Sequence, residues 1–273
     1  MCIRDRATQA FEGGRERIAQ FIGANRPEEV VALSNASEAL NLAANTLGTR
    51  LGPHDEVVIT IMEHHSNLVP WQLVCERTGA TLRWFDITDD GQLDLDKAER
   101  EGLINEHTKV VSLALASNVL GTINPVQRIA QWAHQVGAVV VVDASQAVPQ
   151  MPVNVAELGA DLLAFTGHKM LGPTGIGILW GRYDLLDDLP PFLGGGEMIE
   201  VVHMTGSTYA KPPHRFEAGT PPIAQLAALA VAADYLDGVG MAAIAQREHK
   251  LAALMLEGLG SVPGVHLSLI HIS

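Results

Sequence analysis

The chain has 273 residues, enough for one large domain or for one and part of another. Its 18 Lys and Arg against 31 Asp and Glu leave a formal charge of −13. With no basic block, such a chain is a poor candidate for nucleic acid or an anionic membrane surface.

A hydrophobic fraction of 47% supports a sizeable buried core, while no run approaches the roughly 20 apolar residues of a membrane span, so a soluble protein is expected. Cys2 and Cys75 form neither a disulfide framework nor a zinc pattern, which suits the reducing cytoplasm. Met1–Arg6 and Leu267–Ser273 look detached from the patterns beside them and are read as non-native tails. That leaves 7–240 as a large domain and 241–266 as the start of a truncated small one.

Residues 8–23 set Phe11, Ile18, Phe21 and Ile22 at helical intervals with Gly23 as a stop, predicting an amphipathic entry helix. Val30–Leu33 reads as a short strand, and Ser34-Asn35-Ala36-Ser37-Glu38 leads into a helix over 39–47. Small hydroxyl and amide residues at a helix start leave backbone N–H groups free for an anion, so Ser37 is a candidate phosphate ligand; the same residues also make an ordinary cap. Val57–Ile61 is the next strand, with Glu63-His64-His65-Ser66-Asn67 at its end. In the helix predicted over 67–78, Leu68, Trp71, Val74 and Cys75 share one face, so Cys75 reads as core. Adjacent histidine side chains diverge, which disfavours a shared metal, whereas one imidazole suffices to stack on a flat cofactor ring.

A strand over Ala80–Phe85, a turn at Asp89-Asp90-Gly91 and a polar helix over 94–105 follow. The strand Val110–Ala116 ends at Ser117-Asn118, and a helix over 126–136 carries Ile129, Trp132, Ala133 and Val136. Ala138–Val142 is apolar without alternation, as expected for the buried centre of a parallel sheet, and it ends in Asp143-Ala144-Ser145-Gln146. An aspartate there sits where open α/β sheets bind ligands, as a metal ligand, a general base or the partner of a pyridinium nitrogen.

Asp161–Phe165 is a further strand, and Ile176–Trp180 another; between them Gly167–Gly177 holds four glycines in eleven residues. Lys169, presented by this tight turn beside Thr166 and His168, is a usable amine nucleophile toward an aldehyde, which is what a Schiff-base lysine requires. A nucleotide phosphate loop fits poorly, since no Lys-Ser or Lys-Thr follows and a strand comes next. Beyond lie a short helix over 183–188, a glycine-ended loop over 190–196 and a polar, aromatic stretch over 204–220 with little periodicity. Helices over 222–237 and 241–259 are separated by a break at Gly238 and Gly240. Strand alternating with helix over 30–180 gives an α/β class with βαβ units.

In this order and spacing, Glu63-His64-His65, Ser117-Asn118, Asp143-Ala144-Ser145-Gln146, Thr166-Gly167-His168-Lys169 and Arg215–Pro221 resemble the SUF-type (group II) cysteine desulfurases. These are class V, fold-type I enzymes of pyridoxal 5'-phosphate (PLP). The resemblance runs from about residue 7 to about residue 266, and the stretches Met62–Trp71 and Gly167–Gly177 make it specific. It implies a fold-type I PLP-dependent transferase large domain, with a mostly parallel seven-stranded sheet flanked by helices and the small C-terminal domain largely missing. By position, Lys169 would carry the cofactor and move the substrate α-proton, His64 would stack on the ring, and Asp143 would pair with its nitrogen. Asn118 and Gln146 would lie near the ring hydroxyl. Ser37, Thr166 and His168 would hold the phosphate, with Thr220 reaching the phosphate of a partner subunit in a homodimer. The implied reaction takes L-cysteine (or selenocysteine) to L-alanine, the sulfur passing as a persulfide to an acceptor protein of iron–sulfur cluster assembly.

Two departures stand out. The family usually has two adjacent threonines where this chain has Ala36 and Ser37, and its persulfide-forming cysteine and carboxylate-binding arginine lie in a C-terminal part not found here. The chain is therefore expected to bind PLP without sustaining desulfuration. An aminotransferase, a β-lyase or a selenocysteine lyase would share the lysine, the aspartate and the stacking residue. A metal-dependent hydrolase would use His64, His65, Asp143 and His168 instead, and a folded but inactive dimer partner is a third reading. Ile244, Leu251, Leu254 and Leu256 in the last helix are expected to lack part of their cover.

Overall fold

The computed structural model describes residues 3–265. The order along the chain is α1 (Ile3–Phe21), β1 (Val30–Leu33), α2 (Ala36–Gly48), β2 (Glu56–Thr60), α3 (His65–Thr78), β3 (Thr81–Phe85), α4 (Leu95–Arg100), β4 (Thr108–Ala114) and α5 (Val126–Gln135). Then come β5 (Val139–Asp143), α6 (Val155–Leu158), β6 (Leu162–Thr166), β7 (Gly177–Gly181), α7 (Tyr183–Asp188), β8 (Ile199–His203), β9 (Gly206–Tyr209), α8 (Ile223–Val239) and α9 (Met241–Gly260).

Seven strands form one sheet in the order β1-β7-β6-β5-β4-β2-β3. Only β7 runs against its neighbours, pairing antiparallel with both β6 and β1. The other six strands run parallel and therefore all end on one edge of the sheet. This is the expected mostly parallel α/β sheet, and both its faces are covered. Alternate residues of β5 show why its sequence lacks alternation: Val140 and Val142 enter one core with Ile18, Ile22, Ile129 and Leu229, while Val141 enters the other with Leu40, Leu47, Trp71 and Val74. Full burial of one such aliphatic side chain is worth about 1.5–3 kcal/mol, which favours an uninterrupted apolar run in this central strand.

A buried ion pair ties the ends of the domain together. Arg15 on α1 donates from Nη1 to Glu217 Oε1 at 2.6 Å and to Val30 O at 2.6 Å, and the same carboxylate accepts the Ala32 N–H at 2.7 Å. Burial works against the Glu217 carboxylate, but the nearby His214 and the bonded, charged Arg15 hold it below its ordinary range. The segment Arg215-Phe216-Glu217 is thus anchored to the free edge of β1.

Several sequence expectations need correction. The entry helix begins at Ile3, not near residue 8, so Ile3–Arg6 continue it; a nucleated helix gains one hydrogen bond per added residue, and Asp5 suits its first turn. The helix expected over 94–105 stops at Arg100, because Gly102 turns the chain at φ 57° and buries Leu103 and Ile104. Part of the expected loop 204–220 is strand: β9 pairs antiparallel with β8 in a hairpin whose side chains are all exposed, so no buried face imposes an alternating pattern. At Gly240 the chain bends by 72° between α8 and α9. No residue of α9 is buried, and Leu254 and Leu256 stay 64% and 56% exposed, while Ile244 packs partly on the core. The segment 267–273 lies outside the described residues.

Candidate active site

The carboxyl ends of β1, β2, β5 and β6 supply one cavity of about 180 Å³, lined by Asn35, Ala36, Ser37, His64, Ser66, Asp143, Ser145, Thr166, His168 and Lys169. Each side chain arrives there for a local reason. Lys169 sits in a single 3-10 turn, Gly167–Lys169, between β6 and the loop to β7. It is half-buried, and its Nζ has no hydrogen-bond or ion-pair partner among the described residues. Thr166, the last residue of β6, lies with Oγ1 3.0 Å from His168 Nδ1. Asp143 ends β5, is only 6% exposed, and accepts the Ser145 N–H on Oδ1 at 2.9 Å.

At the other side the chain leaves β1 and enters α2, where Asn35 caps the helix by accepting the Glu38 N–H on Oδ1 at 2.9 Å. The N–H groups of Ala36 and Ser37 precede the first intrahelical donor, the Ala39 N–H, and are available to an anion. The turn can pass this close only because Gly177 of β7 lies beneath it: a Cβ there would fall 2.1 Å from the Asn35 carbonyl carbon. His64 ends the β2 turn as the N-cap of α3, its Nδ1 accepting the Ser66 N–H at 3.1 Å and lying 3.0 Å from Ser66 Oγ. Ser66 Oγ is in turn 2.6 Å from Ser37 Oγ.

Beneath His64 is a polar network that sequence reasoning did not single out. Glu63, 9% exposed, accepts from Thr60 Oγ1 at 2.6 Å, from the Ala114 N–H at 2.9 Å and from Asn67 Nδ2 at 2.6 Å. Asn67 Oδ1 accepts from Ser112 Oγ at 2.7 Å and from Trp71 Nε1 at 3.3 Å. The β2–β4 pairing stops at Val58 and Val111, and the carboxylate takes the Ala114 N–H where the ladder has parted. Burial pushes the Glu63 carboxyl up to about 7 against its three donors, with the Asp143 charge adding to the rise. The one clue in the sequence was a glutamate closing an apolar strand, which by itself does not tell a buried carboxylate from a solvated one.

Six of the proposed site residues, Ser37, His64, Asp143, Thr166, His168 and Lys169, share the cavity. Asn118 and Gln146 line a second cavity of about 510 Å³, beside the α9 residues Ala245, Glu248, His249 and Ala252. Ser145 and Gln146 are successive, so the two cavities lie side by side. Thr220 is exposed and lines neither of them. His65 also lies outside the smaller cavity, and among the described residues no three His, Cys, Asp or Glu side chains converge as a metal-holding group. Asn35, a possible stand-in for the missing hydroxyl, has its carboxamide oxygen engaged in the cap. Ser66 and Ser145 are the cavity residues that reading the sequence passed over.

The donor set suits a flat, phosphorylated aldehyde: an amine with no partner, a buried carboxylate for a protonated ring nitrogen, and hydroxyls with a helix N-terminus for an anion. A mostly parallel α/β sheet with these groups at its carboxyl edge places the chain in a class, and the sequence agrees: the aminotransferase class-V family pattern matches residues 3–271, and the chain belongs to that family. Among its relatives, a probable cysteine desulfurase of Streptomyces coelicolor is 56% identical over 270 residues, which make up 97% of this chain and 64% of the relative. A cysteine desulfurase structure from Thermococcus onnurineus, solved without ligand, superposes with a TM-score of 0.90 at 39% identity, over 97% of this chain and 71% of that one. One from Escherichia coli gives 0.89 at 36% identity, over 95% and 65%. The chain thus spans a little under two thirds of the curated relatives' length.

Proposed function

We propose that this chain is the cofactor-binding large domain, residues 7–240, with the start of a small domain over 241–266, of a PLP-dependent cysteine desulfurase. The carrying observation is that six residues drawn from four separate strand ends meet in one cavity around Lys169. When bound, PLP supplies an aldehyde that captures a primary amine and a ring that accepts electrons from a neighbouring carbanion. The chain's own residues do the rest. Lys169 offers its amine and then holds and moves a proton at Nζ; Asp143 keeps the ring nitrogen protonated; His64 covers the ring. Ser37, Thr166 and His168 hold the phosphate, and Asn118 and Gln146 approach from the adjoining cavity.

The whole protein would take L-cysteine to L-alanine and pass the sulfur, as a persulfide, to an acceptor protein of iron–sulfur assembly. That step needs a thiolate at the substrate sulfur. Cys75 does not serve: it is buried in α3 away from the cavity, and burial pushes its thiol up. The chain alone is therefore read as binding PLP without desulfurating cysteine. A homodimer is supported by Thr220, exposed and outside its own cavity, and by Val69 and Leu73, which share one face of α3 at 42% and 55% exposure. A cytoplasmic location accords with the free Cys75 thiol.

The test is the visible absorption spectrum of the purified chain with added PLP, with Lys169→Ala as the comparison. A yellow band that requires Lys169 and is bleached by borohydride is expected. A folded chain that shows no such band contradicts the proposal.

A further inference from the structure

We propose that Ser66, from the first turn of α3, supplies a further hydroxyl of the phosphate subsite beside Ser37, in place of the side chain that Ala36 lacks. The inference rests on the PLP reading above. Ala36 contributes a buried methyl group to the cavity, and the neighbouring Asn35 has its side-chain oxygen committed to the Glu38 N–H. The hydroxyl that meets Ser37 comes from a different helix: Ser66 Oγ lies 2.6 Å from Ser37 Oγ and lines the same cavity.

Two hydroxyls that close share common ground. A single phosphate oxygen can sit within hydrogen-bond reach of both, because the separation between them is no longer than a hydrogen bond. Their helices, 13 and 14 residues long, both start at this cavity, so two positive helix ends face the same anion. Ser66 is also free to change partners. His64 Nδ1 accepts the Ser66 backbone N–H at 3.1 Å, so the imidazole stays held when the hydroxyl swings from it to a phosphate oxygen. Ser66 thereby joins phosphate binding to the setting of the ring that covers the cofactor. A purely structural role, holding His64 alone, makes a different prediction.

The experiment compares PLP with pyridoxal, which lacks the phosphate, by titrating the Lys169-dependent band in the unmodified chain and in Ser66→Ala. A hydrogen bond to a charged group predicts a PLP affinity loss of about tenfold or more in Ser66→Ala, with pyridoxal changed by less than about twofold. Ala36→Thr introduced into Ser66→Ala restores PLP affinity, since it returns a hydroxyl to the anion without touching His64. Equal losses for PLP and pyridoxal, or no loss for either, overturn the proposal. A third arm follows the thermal shift produced by inorganic phosphate on the cofactor-free chain: stabilisation that disappears in Ser66→Ala supports the subsite, and stabilisation that persists unchanged refutes it. Because this arm needs no band, absence of the band in the unmodified chain sinks the PLP reading while the role of Ser66 is still decided.

Discussion

Replacing Glu63 by glutamine removes a buried proton-binding group beside the site, and its effect on stability is expected to depend on pH. Below its ordinary value of 4.5 the carboxyl is protonated in both the folded and the unfolded chain and contributes no pH dependence. Between 4.5 and about 7 the folded chain keeps a proton that the unfolded chain has released, so the native state binds more protons and stability falls as pH rises. Above about 7 both are ionised and the full penalty remains; the displacement from 4.5 to about 7 corresponds to ~3 kcal/mol. Some of this is already lost at pH 5, which leaves roughly 2–3 kcal/mol to be read between about pH 5 and about pH 8. Glutamine cannot ionise, so Glu63→Gln lacks this slope. It adds a pH-independent cost of about 1–3 kcal/mol, because its Nε2 donor meets the Asn67 Nδ2 donor while Asn67 Oδ1 is occupied by Ser112 and Trp71. The assay is urea denaturation of the cofactor-free chain across that pH span for both proteins. Stability curves that run parallel, separated by a constant offset, refute the buried-carboxyl account.

Arg15→Met leaves the Glu217 carboxylate buried without its cation and is expected to cost about 3–5 kcal/mol in urea denaturation; a loss below about 1 kcal/mol contradicts the tie between α1, β1 and the 214–217 turn. Gly177→Ala drives a Cβ into the Asn35 backbone, so it is expected to destabilise by about 1–3 kcal/mol and to weaken PLP binding, read by the visible band. Gly206→Ala, with nothing within 4 Å of the new atom, is the control and should stay within about 0.5 kcal/mol. Equal effects at the two glycines count against a packed phosphate turn.

Part of the site was legible along the chain because its groups sit at strand ends, where an apolar run gives way to polar residues. Asp143 after Val139–Val142, and Thr166, His168 and Lys169 after Leu162–Phe165, stand out in this way. Ser66 did not, because nothing in its neighbours shows that the first turn of α3 faces the first turn of α2; that contact joins residues 29 apart. Asn118 and Gln146 lie in the adjoining cavity because their loops turn toward α9, an orientation that linear spacing does not carry.

The sequence by itself determined the order of the strands and longer helices over 30–180, though not the short α6, since burial on one or both faces imposes a period on each longer segment. It also determined the ligand edge, because a βαβ chain brings its parallel strand ends to one side. Only the tertiary structure decided that β7 lies between β1 and β6 and runs against both, that β8 and β9 form a hairpin, and that Arg15 meets Glu217 across 202 residues. It also decided the burial of Glu63, which raises its carboxyl. Pairing partners and solvent exclusion come from segments distant in sequence, and a local pattern carries no information about them.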